Sequence, residues 1–261
     1  MKTIRTFSGT FRLILLVVCA IPLSWARVGA EPTKDPDHDE IYQGPPTPET
    51  TLAFELWKQG QRSLDAGKRD EAFALFQKAL RVDPHVIPVN LSLGDIYFER
   101  HQYAAAEGAY KRASTGATDT TAQFRLALVY SRSGRYREAV EAYQSGIGGL
   151  GSLPADIAPV LAQPISPRPA DMPTLEAAIA LYRGWESYSS SQDAKAAPFF
   201  RDAIRLRPNV TESHLLLGLL LQRSGKRDRR DEARAELKKA VALGVGHTAE
   251  LADHALKSFP Q

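Results

Sequence analysis

Cysteine is almost missing from this chain: one residue in 261, Cys19. A disulfide framework is therefore excluded, and so is any site built from several thiolates. Methionine is scarce, with two residues, and no apolar run is long enough for a membrane-crossing helix, which needs about 20 apolar residues. No sign of charge dominates, with 33 basic and 30 acidic residues. Net charge thus points to neither nucleic acid nor a lipid surface. Paired catalytic groups are lacking as well. Serine is plentiful at Ser187 to Ser191, but no histidine and acid are marked as its partners, so nucleophilic catalysis has nothing to point to.

What the chain does have is a period. Ala72, Ala106, Ala139, Ala196 and Ala233 each stand four residues before a large apolar residue and seven before a small one. The followers are Phe76/Ala79, Tyr110/Ala113, Tyr143/Gly146, Phe200/Ala203 and Leu237/Ala240. Upstream marks recur at Gly60, Leu93-Gly94, Leu126-Ala127, Gly184 and Leu217-Gly218, at spacings of 33 or 34 within each block. Self-similarity of that length is the mark of stacked helical hairpins. Leu93, Gly94 and Tyr97 share one face of a first helix, and Ala106, Tyr110 and Ala113 share one face of a second. Small residues let the two helices of a hairpin approach, and the large one is expected to fill the gap between neighbouring hairpins. Gly67, Gly134 and Gly225 lie between paired helices, where a left-handed residue is commonly needed. Asp83-Pro84 and Pro208-Asn209 end second helices, because proline cannot continue one.

These residues resemble the tetratricopeptide repeat family. Leu93, Gly94, Tyr97, Ala106, Tyr110 and Ala113 meet its pattern almost completely, and Leu126, Ala127, Tyr130, Ala139 and Tyr143 follow, with Gly146 where alanine is usual. Units one and four match mainly in the second helix and carry Ser63 and Ser187 where the family prefers a bulky residue. The fifth has three extra residues in its turn, in the run Lys226 to Asp231. The resemblance covers about 53–148 and 177–244. It implies an all-α fold, a right-handed α-α superhelix (solenoid) of tetratricopeptide-like hairpins. Thr248 to Phe259 reads as a C-terminal capping helix, with Leu251, Ala255, Leu256 and Phe259 toward the last hairpin and Asp253, His254 and Lys257 toward water.

The N-terminus reads as a leader. Lys2, Arg5 and Arg12 precede an apolar run from Leu13 to Leu23 and then small residues, the layout of a secretory signal peptide, residues 1–30. Cleavage is expected after Ala30 or Ala26, with export to a periplasm or beyond. An uncleaved anchor and lipidation at Cys19 are the lesser readings, since Val18 is not the small residue that lipidation prefers. Without residues 1–30 the chain carries 29 basic and 30 acidic residues and no cysteine. Residues 31–47 are acidic and proline-bearing and read as disordered. Three repeats are expected over 48–148, a proline-rich linker over 149–174, and two repeats with the cap over 175–261. Thr47-Pro48-Glu49 reads as a helix start.

Several features imitate chemical sites. Gly146, Gly148 and Gly151 have dinucleotide-loop spacing but follow a predicted helix, not a strand, so a helix stop is the better reading. Asp37, His38, Asp39 and Glu40 are ligand types without fixed geometry, and His247 and His254 have no partner pattern; neither group makes a metal site. Lys226 to Arg230 is interleaved with Asp228 and Asp231 and reads as a solvated loop. No catalytic residue, cofactor or metal is expected, and no nucleic acid and no stable membrane span in the mature form.

In the resembled family the first helix of each pair lines a concave groove. The matching positions here include Trp57, Lys58, Gln61, Asp95, Phe124, Arg125, Arg132, Tyr182 and Trp185. Aromatics and arginine are favoured where binding energy concentrates. The positions that hold chaperone carboxylates in some members are here Trp57, Gln61, Ser92, Phe124 and Leu128, which argues against that ligand. The expectation is a non-enzymatic scaffold or adaptor with a protein or peptide partner. The alternative is a periplasmic protein with a small-molecule or glycan pocket between the two repeat blocks.

Overall fold

The computed structural model describes residues 47–114, 119–244 and 246–259. The leader, its cleavage sites, most of the acidic lead and the Asp37–Glu40 cluster lie outside them. Among the described residues all regular structure is helical. Five hairpins pair α1 (Pro48–Asp65) with α2 (Arg69–Val82), α3 (Ile87–Glu99) with α4 (Tyr103–Ala113), α5 (Thr120–Arg132) with α6 (Tyr136–Gly149), α8 (Met172–Ser189) with α9 (Asp193–Leu206), and α10 (Thr211–Arg223) with α11 (Arg230–Leu243). A short α7 (Ala158–Leu161) and a 3-10 turn at Pro169–Asp171 stand between the third and fourth hairpins. The chain closes with α12 (His247–Lys257), packed on α11 and α10.

The repeated small residues explain the pairing. A Cβ added at Gly94 would lie 2.3 Å from Cε1 of Tyr110, and one at Gly60 2.3 Å from Cε1 of Phe76. Gly184 meets Phe200 at 2.6 Å and Gly218 meets Leu237 at 2.6 Å in the same sense. In these four hairpins the large residue of the second helix therefore lies against the backbone of the first. Phe76, Tyr110, Phe200 and Leu237 are all essentially buried there. Each contributes roughly 1.5–3 kcal/mol by leaving water.

Local signals set the helix ends. Thr47 caps α1, its Oγ1 accepting from the Thr50 amide at 3.2 Å, with Pro48 in the first turn. Gly67, Gly134 and Gly225 have φ of +76°, +76° and +64°, which closes first helices in the left-handed conformation. In the second and fourth hairpins His101 (φ 59°) and Ser191 (φ 57°) take that role without glycine.

Two expectations need correction. In and just beyond α12, Ala255, Leu256 and Phe259 face the last hairpin as expected, together with Ala252, whereas Leu251 is 41% exposed. Ala252, Ala255, Leu256 and Phe259 fall at i, i+3, i+4 and i+7 on one helix face, and Leu251 stands one position off it. The proline-rich segment, secondly, is no bare tether. Ile157, Val160 and Leu161 are buried in the core that also contains Tyr143, Leu175 and Ile179, and the Tyr143 hydroxyl donates to the Leu161 carbonyl at 3.0 Å. The segment fills the space between α6 and α8, and α8 also packs on α5. Gly146 lies inside α6, where an added Cβ would meet Phe124 at 2.6 Å; its role is close packing.

Candidate functional site

The face built by successive first helices begins with Trp57, Lys58 and Gln61 on α1. The Trp57 indole Nε1 donates to Ser92 Oγ on α3 at 3.0 Å, and Gln61 Nε2 donates to the same oxygen at 2.9 Å. Ser92 Oγ in turn donates to the Pro88 carbonyl one turn earlier, at 2.8 Å. The indole is held edge-on by Phe54, with ring centroids 5.9 Å apart. Trp57 and Gln61 stay half-buried, and Lys58 is exposed beside Glu55 at 3.3 Å.

Asp95 on α3 is the centre of the next cluster. It accepts from the Tyr110 hydroxyl at 2.7 Å and from Arg125 Nε and Nη2 at 2.9 and 3.2 Å. Arg183, from α8, reaches the same carboxylate at 3.8 Å while its guanidinium lies 4.3 Å over the Phe199 ring. Desolvation opposes ionisation of Asp95, but the Arg125 and Arg183 charges and the two donors outweigh it, and its pKa falls below the usual 3.8. Burial and the Asp95 charge together push the Tyr110 phenol far upward, so it remains a donor. Desolvation also leads for Arg183; with the like charge of Arg125 it outweighs the help of Asp95 and lowers this cation's pKa. Arg125 Nη1 is buried without a hydrogen-bond partner among the described residues.

Beside this cluster Phe124 packs on Tyr143 and Tyr182, at centroid distances of 5.6 and 4.9 Å, and Tyr182 packs on Trp185 at 6.2 Å. Trp185 Nε1 donates to Asp156 of the proline-rich segment at 3.3 Å. Phe124 and Tyr182 are 1% and 7% exposed. That corrects their predicted place on an open groove: they are interhelical core, turned inward because Gly146 leaves Phe124 room. Thr121, Phe124, Arg125, Tyr182, Arg183 and Glu186 line a cavity of about 10 Å³. This is room for one water at most.

Further along, Arg132 on α5 donates to Glu176 on α8 at 2.5 Å, and the Ser131 hydroxyl adds a donor at 2.7 Å. Glu176 is buried, while Arg132 keeps 45% of its side chain exposed. The structure therefore joins the predicted residues, Lys58 apart, into four polar or aromatic contacts between helices. Ser92, named only as a carboxylate position of the resembled family, and the unpredicted Arg183 and Glu176 complete three of them. One signal could have found Arg183: Asp95, Arg125 and Arg183 each fall within two residues of the small mark of their repeat, Gly94, Ala127 and Gly184. Among the described residues no three His, Cys, Asp or Glu side chains converge as metal ligands.

Residues 63–120 and again 120–148 match the family described as Tetratricopeptide repeat. These matches together span residues 63–148, a third of the chain. Superkiller complex protein 3 of Mus musculus is 36% identical over 88 residues, 33% of this chain. The chain spans only 6% of the length of that relative. Among solved structures, YrrB, described as a TPR protein with an unusual peptide-binding site, is 15% identical (TM-score 0.37), covering 82% of this chain and all of that one. A thermophilic TPR protein of Thermus thermophilus is 17% identical (TM-score 0.40), covering 78% of this chain and 99% of that one. MamA from Desulfovibrio magneticus RS-1 is 17% identical (TM-score 0.39), covering 76% and 97%. The last two hairpins lie outside the matched tetratricopeptide stretch, yet they repeat its contact of a small residue on a large one, Gly184 on Phe200 and Gly218 on Leu237.

Proposed function

We propose that this protein is an exported scaffold that holds a segment of a protein partner against the face of its first helices. The observation that carries the reading is the state of that face in a tetratricopeptide array. Trp57, Gln61 and Trp185 have their polar atoms bonded within the protein, yet all three keep accessible surface, as do Lys58 and Arg132. Anchors already fixed in place lose little entropy when a partner docks. The carboxylates of Asp95 and Glu176 and the indole groups of this face are engaged within the protein, and no bond-making step is assigned to it. A sugar or similar ligand needs a cavity of several hundred Å³. The space between Phe124, Arg125, Tyr182 and Arg183 offers about 10 Å³, so the glycan reading has no support there.

The test is capture from envelope extract with the chain from Glu31 onward. Wild type is compared with Trp57→Ala/Trp185→Ala and with Lys58→Glu, which touches only exposed surface. A partner retained by wild type, reduced at least tenfold in both variants, and accompanied by unchanged helix content supports the groove. Equal capture by all three would remove it. Export is tested separately by the mass of the N-terminal peptide in the envelope fraction. A start at Glu31 or Arg27 supports a cleaved leader, and an intact Met1 refutes it.

A further inference from the structure

Four of the five hairpin turns hold three residues, at 66–68, 100–102, 133–135 and 190–192, whereas the fifth holds six, 224–229. The insertion is not neutral filler. It carries Lys226, Arg227 and Arg229, and Arg230 opens the helix that follows. Among the described residues these four cations have no ion-pair partner, and Lys226, Arg227 and Arg230 are exposed. Asp228 and Asp231 lie in the same run, and neither pairs with them. Over 226–239 there are seven basic and four acidic residues. Two of the acids are already engaged, Glu232 with Arg201 at 2.7 Å and Glu236 with His214 at 2.5 Å and Lys239 at 3.2 Å. The turn therefore projects an excess of free positive charge from a body whose charges otherwise balance.

The form of the patch selects its partner. It is an exposed turn, opened by Gly225 at φ +64°. No aromatic residue lies within 226–239, so bases have nothing to stack on. Leu237, its one large apolar residue, is buried, so a protein interface would lack an apolar centre. A flat anionic surface needs neither. Basic residues held near the surface are what anionic headgroups attract.

We propose that the fifth turn, Lys226 to Arg230, docks the terminal hairpin on the anionic phospholipid headgroups of a membrane surface. This is independent of the groove, which lies on other residues. The test is co-sedimentation of the chain from Glu31 onward with vesicles of phosphatidylcholine containing 30% phosphatidylglycerol. Binding at low salt should be strong and should fall steeply with added NaCl. The variant K226Q/R227Q/R229Q/R230Q should lose about a hundredfold in partition coefficient. A control, K78Q/R81Q/R137Q/K195Q, removes the same charge from exposed positions elsewhere and should lose less than threefold; thermal melts verify that both variants fold. Trp57→Ala/Trp185→Ala should bind vesicles as wild type does. Equal loss in the two quadruple variants would reduce the effect to net charge and overturn the assignment. So would equal binding to pure phosphatidylcholine, or full displacement by millimolar inorganic phosphate at constant ionic strength, which would mark a discrete ion site.

Discussion

Asp95 shows how a single carboxylate can organise three helices. It ties α3 to its own hairpin partner through Tyr110, to the next hairpin through Arg125, and to the hairpin beyond through Arg183. Its pKa is depressed in the fold, so the sign of the linkage is fixed: the stabilisation is complete above the ordinary value of 3.8 and is lost as acid protonates the group below it. Replacing Asp95 by Asn should cost about 2 kcal/mol at neutral pH, less than a fully buried pair because a third of the side chain is exposed. The difference from wild type should shrink as pH falls progressively below 3.8. A constant difference across that range in urea titrations would show that the charge is not the source. Gly94→Ala tests the packing beneath. The helix gains up to ~1 kcal/mol in propensity, but the new methyl meets the Tyr110 ring at 2.3 Å. The clash wins, with a net loss of about 1–3 kcal/mol by chemical denaturation.

At the scale of the element, the turns divide into those a sequence announces and those it conceals. Gly67, Gly134 and Gly225 were readable as left-handed helix stops, because glycine there has an evident reason. His101 and Ser191 take the same conformation with nothing in their chemistry to signal it. Left-handed backbone costs a residue with a Cβ roughly 1–2 kcal/mol. Ser191→Gly should therefore raise stability by about 0.5–1 kcal/mol in thermal or urea melts, the gain reduced by the freer unfolded chain; a decrease would show that the serine side chain has a structural role. The hairpins themselves were legible because a 33- or 34-residue period repeats in one dimension. The proline-rich segment was not. Its prolines advertise a break in the array, while the burial of Ile157, Val160 and Leu161 depends on the gap between α6 and α8, which no local pattern encodes. Phe124 shows a related limit: whether a first-helix residue is open or covered is decided by partners such as Gly146 and Tyr182, distant in sequence.

For the molecule as a whole, the decisive joint is the one between the third and fourth hairpins. In a linear array, stability is a sum of unit terms and nearest-neighbour terms, so one weak interface can split the melting of the whole. Here the regular stacking of second helix on first is interrupted by α7, and three contacts bridge it: Ser131 and Arg132 on Glu176, Arg183 on Asp95, and Phe124 on Tyr182. Glu176 is the most direct to test, because it is buried and receives two donors. Glu176→Ala leaves the Ser131 hydroxyl without its acceptor and Arg132 without its acid, and should cost about 1–3 kcal/mol at this interface alone. Calorimetry should then resolve two transitions where wild type shows one, and hydrogen exchange should quicken in 177–244 before it does in 53–148. A single transition, merely shifted to lower temperature, would mean that the packed segment 157–161 and the aromatic contact couple the blocks without help from the ion pair.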